Sequence, residues 1–431
     1  MQASKVQIGI IILALVLTFV AILVFSGVLP GIRPSGSTEK ATLKIWGPIP
    51  KEEISEIISD AQKSLYNITL EYSQRNSASI ESDYVSAIAS GQGPDIVILP
   101  SDSIIRQSGT LFPLSEMITK RDFQDTFADA AGILDVTGII YGLPLTIDPL
   151  ILYWNKDMFQ SASISRSPGA WDEFVADAKA LTKIDSSGNI IQSGAALGLF
   201  SNISHPKEIL SALAMQAGDP IVERATLNAT LGDTPSNQAS AMENALRFYT
   251  EFAGQNKASF SWSPSLPKDI GLFERGDLAM YFGFASEAMQ IRDANPHLNF
   301  DVASIPQIRG LSLKITFGRF LYLAISKSGA HIAASWSSSQ KLTDKYALQK
   351  LADHTSLPPS RRDLLQTIQK DPIKAIFWQE AVRSRNWLDA NPQTTSDIFR
   401  DMVNSVYSGS KTINEAVRDA SVKFKSLYQS R

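Results

Sequence analysis

Side chains that could act as nucleophiles, bases or thiolate ligands are few and widely spaced in this chain. It has no cysteine, and its histidines are His205, His297, His331 and His354. The S-x-x-K pattern occurs several times in this serine-rich chain, for example at residues 338–341 and 408–411, but without its companion motifs. There is no G-x-S-x-G, H-E-x-x-H or phosphate-binding glycine loop. The sequence motifs therefore indicate neither catalysis nor a cofactor. A glycosidase with paired carboxylates is an open alternative, because the distance between two carboxylates cannot be read from the sequence.

One carboxylate stands in an unusual place. Residues 141–159 (YGLPLTIDPLILYWNKDMF) are apolar enough for a core strand, yet Asp148 and Pro149 interrupt them. A charge and a proline both disfavour a buried central strand. The plain interpretation is that Asp148 caps or turns the end of a strand. The other interpretation is that the chain leaves the core here for a functional reason.

The composition describes a folded protein with more than one domain. The chain has 431 residues, of which 44% are apolar and 19% charged. The formal net charge of −3 argues against nucleic-acid binding. The absence of cysteine excludes disulfides and lipid attachment through a modified cysteine.

The N-terminus carries an apolar segment at residues 8–29, which contains no charge. As a helix it would be about 33 Å long, enough to cross a bilayer core. We predict that residues 1–29 form an uncleaved membrane anchor. A cleavable signal peptide is the alternative, although its apolar stretch is normally shorter. Residues 30–40, rich in Pro, Gly and Ser, predict a flexible tether to a domain outside the cytoplasmic membrane.

Strand and helix patterns alternate after the tether. Strands are predicted at residues 42–46, 68–72 and 95–99. Helices are predicted at residues 51–65 and 83–90, the second ending at Gly91. The third strand is apolar without alternation, as in a sheet covered on both faces. This order predicts an α/β architecture with a mainly parallel sheet.

A second strand-forming region follows without a polar linker. Strands are predicted at residues 278–283, 300–305 and 319–325, and Gly276 suits the left-handed end of the preceding helix. The last part is helical, with apolar stripes within residues 398–406 and 413–420. We therefore predict two lobes joined by strands.

Seven segments occur in a recognisable order. They are SGQGPDIVILPSD (90–102), YGLPLTIDPLILYWNKDMF (141–159), PGAWDEFVADAKALTK (168–183), FERGDLAMYFG (273–283), LAISKSG (323–329), LPPSRRD (357–363) and VYSGSKTINEAVRDA (406–420). Together they resemble the extracellular solute-binding proteins of ABC importers, family 1, which are maltose-binding-protein-like. The resemblance covers residues 41–431.

The resemblance implies a type II periplasmic-binding-protein-like fold, with two α/β lobes, a ligand cleft between them and three hinge crossings. The crossings would lie near residues 146–148, 310–317 and 356–359. Lobe one would comprise residues 41–147 plus 318–356, and lobe two residues 148–317 plus 357–431. Asp148 would then lie on the cleft floor. In this family pattern an acidic residue there contacts sugar hydroxyls.

Candidate ligand contacts are residues at strand ends that would face this cleft. A sugar needs hydrogen-bond partners for its hydroxyls and aromatic cover for its C–H faces. The candidates are Trp46, Gln74, Ser101, Asp102, Asp148, Phe284, Glu287, Arg319 and Trp387. Each has an alternative role: the tryptophans could pack in the core, the other carboxylates could be solvated, and Arg319 could pair near the hinge.

The function that the resemblance implies is capture of a small polar ligand, expected to be a sugar or oligosaccharide, by closure of the cleft. The closed protein would deliver the ligand to an ABC transporter permease. We expect a monomer on the extracytoplasmic side of the cell membrane, without cofactor or nucleic acid. The alternatives are an anchored carbohydrate-active enzyme and a ligand sensor for a signalling receptor. A ferric-ion binder would need clustered tyrosines, which the sequence does not show.

Overall fold

The computed structural model describes residues 40–233 and 238–429. The predicted anchor at residues 1–29, and the predicted tether apart from Lys40, lie outside these residues. Within them, no helix combines the length and the apolar character needed to cross a membrane.

Strands supply the frame of the described residues. They are β1 Ala41–Gly47, β2 Ile68–Gln74, β3 Ile96–Pro100, β4 Asp135–Val136, β5 Ile139–Ile140, β6 Leu143–Asn155, β7 Lys183–Ile184, β8 Ile190–Ala195, β9 Val222–Glu223, β10 Asn228–Ala229, β11 Leu278–Phe284, β12 Phe300–Ala303, β13 Thr316–Ile325 and β14 Ser384–Arg385.

Helices cover the sheet. They are α1 Lys51–Ser64, α2 Ile80–Ala89, α3 Ile104–Gln107, α4 Lys120–Thr126, α5 Lys156–Ser161, α6 Trp171–Leu181, α7 Pro206–Gln216, α8 Ala241–Glu251, α9 Asp269–Glu274, α10 Glu287–Ala294, α11 Ile332–Leu342, α12 Lys345–Thr355, α13 Arg362–Leu365, α14 Pro372–Arg383, α15 Pro392–Tyr407 and α16 Ile413–Gln429. Short 3₁₀ turns add Ser101–Ser103, Leu114–Glu116 and Asp129–Leu134.

The first half of the sheet has the order β2-β1-β3-β13-β6. Strand β1 pairs parallel with β2 and β3, whereas β13 pairs antiparallel with β3 and with β6. The prediction of a mainly parallel sheet is therefore right for β1–β3 and wrong for β13. The reason is that β13 enters this half directly from the other half, without the crossover helix that a parallel connection needs.

Strand β6 joins the two halves. Its residues 143–149 pair with β13, and its residues 150–155 pair with β11 and β12. β8 and β7 continue the second half beyond β11. A third passage runs beside β6, where the N–H of Ile147 donates to Pro358 O and the N–H of Ser360 donates to Leu145 O.

The predicted interruption at Asp148 and Pro149 is wrong, because β6 runs through both residues as one strand. Pro149 lies at the point where β13 gives way to β11 as the partner. Its carbonyl accepts from the N–H of Ala285 (3.0 Å). The carbonyl of Gly318 opposite accepts from Nδ2 of Asn386 (3.0 Å), a side chain that replaces a ladder donor. A proline is tolerated because the ladder changes partners here.

The predicted apolar stripes form the core between the helices and the sheet. Ile54, Ile57, Ile58 and Ala61 of α1 are buried, and so are the predicted stripe residues of α6 and α15 that face inward. Gly276 ends α9 with φ +83°, as predicted for a left-handed helix end. These local patterns predict the buried faces of the helices correctly.

Candidate ligand-binding cleft

A cleft of about 630 Å³ opens between the two halves of the sheet, where β6 and β13 cross. One wall comes from segments that follow β1, β2 and β3, including Ile49, Glu53, Ser77 and Asp102. The facing wall comes from the start of α7, the turn between β11 and α10, and the segment before α15. The cleft lies at the carboxyl ends of β1 and β3, the usual place for a ligand in an α/β sheet.

Asp148 lies on the floor of the cleft, as the resemblance implies, and is buried. Its Oδ1 accepts from the N–H of Ser286 (2.9 Å). Its Oδ2 accepts from Ser286 Oγ (2.8 Å) and from Nε of Arg319 (3.0 Å). Both carboxylate oxygens are therefore engaged within the protein, and this side chain ties β6 to β13 and to the start of α10.

Phe284 and Arg319 lie in the cleft as one stacked unit. Phe284 is buried, and the guanidinium carbon of Arg319 lies 3.8 Å from the centre of its ring. This is a close cation–π contact. The ring also makes edge-to-face contacts with the rings of His205 and Phe317. The face that could stack on a ligand is therefore already covered by Arg319.

Trp387 also lines the cleft but is 4% exposed. Its Nε1–H donates to Ser211 Oγ (3.1 Å), and its ring packs against Phe424 at 5.4 Å between centroids. Most of the surface of Trp387 is therefore packed in the core, which is the alternative role named above for this side chain.

Ser101 and Asp102 follow β3 and line the cleft as predicted. Ser101 Oγ accepts from the N–H of Phe320 (3.3 Å), which links β3 to β13. The Asp102 side chain stays accessible to solvent. Even so, enclosure by the cleft walls raises the pKa of its carboxyl; Arg106 opposes that rise and Asp389 from the facing wall adds to it.

Three predicted contacts lie away from the cleft lining. Trp46 stacks under Arg75, whose guanidinium carbon lies 3.9 Å from the ring centre. Gln74 Oε1 accepts from the N–H of Lys51 at the start of α1 (3.1 Å). Trp46 is the penultimate residue of β1 and Gln74 the last residue of β2, so both stand at strand ends, but their side chains make contacts within the first half.

Glu287 is the third, and it holds a polar cluster behind Phe284. Its Oε1 lies 2.6 Å from Nε2 of His205, and its Oε2 accepts from the hydroxyl of Tyr281 (2.6 Å). Burial acts to raise the pKa of Glu287, but its bonds to His205 and Tyr281 outweigh burial and lower it. Burial acts to lower the pKa of His205, but the hydrogen bond and the charge of Glu287 outweigh burial. The pKa of His205 is therefore raised.

Sequence reasoning missed a buried ion pair in the cleft wall. Lys207 Nζ lies 2.9 Å from Asp389 Oδ2, and both oxygens of Asp389 accept from Thr395 Oγ1 (2.9 and 3.0 Å). The two side chains are only 13% and 5% exposed. A lysine in the first turn of α7, against the helix dipole, was the one local signal of this pair.

A second cavity of about 820 Å³ lies next to the cleft, and Asn386 lines both. Its lining includes Asp129 of the first half and Arg385 of the segment before α15. Asp129 Oδ2 lies 2.6 Å from Arg385, and its Oδ1 pairs with Arg362. Among the described residues, no group of three or more acidic or histidine side chains could hold a metal ion.

Solved structures share this fold. A cyclo/maltodextrin-binding protein complexed with maltotetraose matches 92% of this chain and 99% of its own, with a TM-score of 0.76 and 19% identity. A solute-binding protein of an ABC transporter from Thermotoga lettingae, bound to α-D-tagatose, matches 90% and 100%, with a TM-score of 0.67 and 22% identity. These likenesses establish the two-lobed α/β fold.

Sequence comparison gives the family. A binding protein of Brucella abortus is 26% identical over 225 residues, so the match spans about half of this chain and half of that relative. The profile of the bacterial extracellular solute-binding proteins matches residues 56–376, most of the chain. With its cleft at the crossing strands, this chain belongs to the bacterial extracellular solute-binding proteins.

Proposed function

We propose that this protein captures a sugar or oligosaccharide in the cleft and delivers it to the permease of an ABC importer. The observation that carries the proposal is a cleft whose two walls come from opposite halves of the molecule, hinged at β6 and β13. A ligand that touches both walls stabilises the closed arrangement by its differential affinity for it.

The carbohydrate part rests on the cleft chemistry and on the neighbours. Carboxylates, hydroxyls and an amide line the cleft, and these are partners for sugar hydroxyls. The structural neighbours carry maltotetraose and tagatose, and a galactooligosaccharide-binding protein of Bacillus subtilis is 30% identical over 88 residues. The proposed ligand-contacting or ligand-positioning residues are Ser101, Asp102, Asp148, Phe284, Arg319 and Trp387.

The proposal also includes the boundaries of the two lobes and the attachment to the membrane. Lobe one comprises residues 41–147 plus 318–356, and lobe two comprises 148–317 plus 357–431. The uncharged residues 8–29 anchor a monomer to the cell membrane, with the binding domain on the extracytoplasmic side. Binding without turnover distinguishes this function from that of a carbohydrate-active enzyme.

A thermal-shift and calorimetry panel on the full chain, kept in solution with a mild detergent, tests the proposal. It should contain neutral sugars, aminated sugars, polyamines and peptides. A saccharide at one hundred times its Kd should stabilise the protein by about 2.7 kcal/mol. Unchanged saccharide after long incubation supports binding rather than hydrolysis. Stabilisation by peptides or polyamines alone would contradict the carbohydrate assignment.

A further inference from the structure

The cleft is lined by more carboxylates than cations. Its lining has five carboxylates and two cations: Glu53, Asp102, Asp148, Glu208 and Asp389 against Lys207 and Arg319. Both cations are already committed, Lys207 to Asp389 at 2.9 Å and Arg319 to Asp148 at 3.0 Å. The cleft therefore carries three further carboxylates that form no ion pair with either of its cations.

Those three carboxylates are Glu53, Asp102 and Glu208. Within the described residues, none of them makes a side-chain hydrogen bond or ion pair. The nearby Arg106 is held by Glu81, with bonds of 2.7 and 2.6 Å, and reaches Asp102 only through the backbone oxygen of that residue. Their oxygens are thus free to accept hydrogen bonds from a ligand.

The three come from both walls. Glu53 and Asp102 belong to the first half, and Glu208 lies in the first turn of α7 in the second half. Closing the cleft brings these like charges together and removes water from them, which disfavours closure unless the ligand compensates. A neutral hydroxyl donates one hydrogen bond but brings no charge, whereas an ammonium group donates three and brings a positive charge.

The aromatic surfaces give an independent reason. Neutral sugars gain affinity by stacking on exposed ring faces. In this cleft Arg319 covers the face of Phe284, and Trp387 is buried with its Nε1–H bonded to Ser211. The half-buried Phe317 is a further aromatic ring in the lining, and it is in edge-to-face contact with Phe284. Three unpaired carboxylates therefore outnumber the ring surfaces that remain for stacking.

From these observations we infer that the ligand is a saccharide or polyol that carries a protonated amine, held between Asp102 and Glu53 on one wall and Glu208 on the other. The inference rests on the proposed function, since it names the ligand class of the same cleft. It adds that charge neutralisation across the cleft, rather than ring stacking, selects the ligand.

Calorimetry on the full chain at pH 7 tests the inference with two disaccharides of matched size and one polyamine. They are a β-1,4-linked glucosamine disaccharide, the neutral glucose disaccharide of the same linkage, and spermidine. The aminated disaccharide should bind at least tenfold more tightly than the neutral one. Asp102→Asn and Glu208→Gln should each weaken its binding about five- to tenfold, and should weaken the binding of the neutral probe by a smaller factor, because that probe loses only a hydrogen bond. Glu116→Gln, an exposed carboxylate away from the cleft, should change neither.

The outcomes separate this inference from the proposed function. Neutral disaccharide that binds as tightly as the aminated one overturns the charge inference and leaves the sugar-binding function intact. If Asp102→Asn and Glu208→Gln both bind the aminated disaccharide with unchanged affinity, the charge inference is also overturned. A third outcome is that spermidine binds through the same carboxylates while neither disaccharide binds. This outcome supports the charge inference and overturns the carbohydrate assignment. If neither aminated probe binds, the inference fails.

Discussion

Asp148 and Arg319 lie directly opposite each other on the two strands that join the halves of the molecule. Their Cα positions are paired in the β6–β13 register, and Oδ2 and Nε are 3.0 Å apart. The same carboxylate holds Ser286 at the start of α10. The pair therefore joins the hinge to the cleft wall, and Arg319 in turn covers Phe284.

Asp148→Ala should destabilise the protein and weaken ligand binding together. The change leaves the N–H of Ser286 and the guanidinium of Arg319 without their acceptor, which costs about 1–3 kcal/mol of unfolding free energy. Loss of the fixed Arg319 position should lower ligand affinity roughly tenfold, equivalent to about 1.4 kcal/mol. Urea unfolding and calorimetry measure the two effects.

The matched control for this variant is Asp125→Ala. Asp125 pairs with Arg121 on the surface and its side chain is 72% exposed. Its removal should change the unfolding free energy by less than about 0.5 kcal/mol and leave binding unaltered. Equal effects of the two variants would show that the Asp148 network carries no special role.

The Lys207–Asp389 pair should be strongly coupled. Lys207→Met leaves a buried carboxylate without its cation, which should reduce the unfolding free energy by roughly 3 kcal/mol. Adding Asp389→Asn removes that charge, so the double variant should be more stable than the sum of the two single effects implies. Strict additivity in urea unfolding would contradict the coupling. The exposed Lys423–Asp401 pair supplies a control cycle with little coupling.

The sequence predicted those parts of the fold that depend on local periodicity. Strand β3 and the buried stripe of α1 follow from apolar spacing alone, and the position of Ser101 follows because it comes directly after β3. Asp148 was located through the resemblance. Of its neighbours, Arg319 was expected near the hinge, where it pairs with Asp148 across 171 residues of sequence, whereas Ser286, which is 138 residues away, was not expected.

Side-chain direction at a strand end could not be predicted in the same way. Trp46 and Ser101 both stand near the ends of neighbouring strands, yet only Ser101 lines the cleft. Side chains alternate across a strand, so an uncertainty of one residue reverses the assignment. Glu287 is not among the cleft-lining residues, and its carboxylate is engaged by Tyr281 and by His205, which is 82 residues away in sequence.

The His205–Glu287 contact should make stability depend on pH. The pKa of Glu287 is lowered, so its contribution is present above its unfolded pKa near 4.5 and is lost as pH falls through the folded value. The pKa of His205 is raised, so its contribution is complete below its unfolded pKa near 6.5 and is lost as pH rises through the folded value. The pair should therefore stabilise most between about pH 4.5 and 6.5.

Glu287→Gln tests this window. The difference in unfolding free energy between the native protein and the variant should be largest near pH 6 and smaller at pH 9 and pH 3. His297→Gln, at an exposed histidine, should show no such profile. A difference that is constant across this range would contradict the ionic character of the pair.

Gly318 should tolerate no side chain, because it lies where β13 meets both β6 and β14. A Cβ at this position would come 2.4 Å from both Cβ and Oγ of Ser384, well inside contact distance. Gly318→Ala should therefore push β14 from β13 and lower the unfolding free energy by about 1–3 kcal/mol. Because Asn386, which bonds Gly318 O, also lines the cleft, ligand affinity should fall as well. Gly109→Ala is the control, since its Cβ would meet nothing within 4 Å. If both variants unfold at the same urea concentration as the native protein, the close packing of β14 on β13 does not hold the cleft in shape.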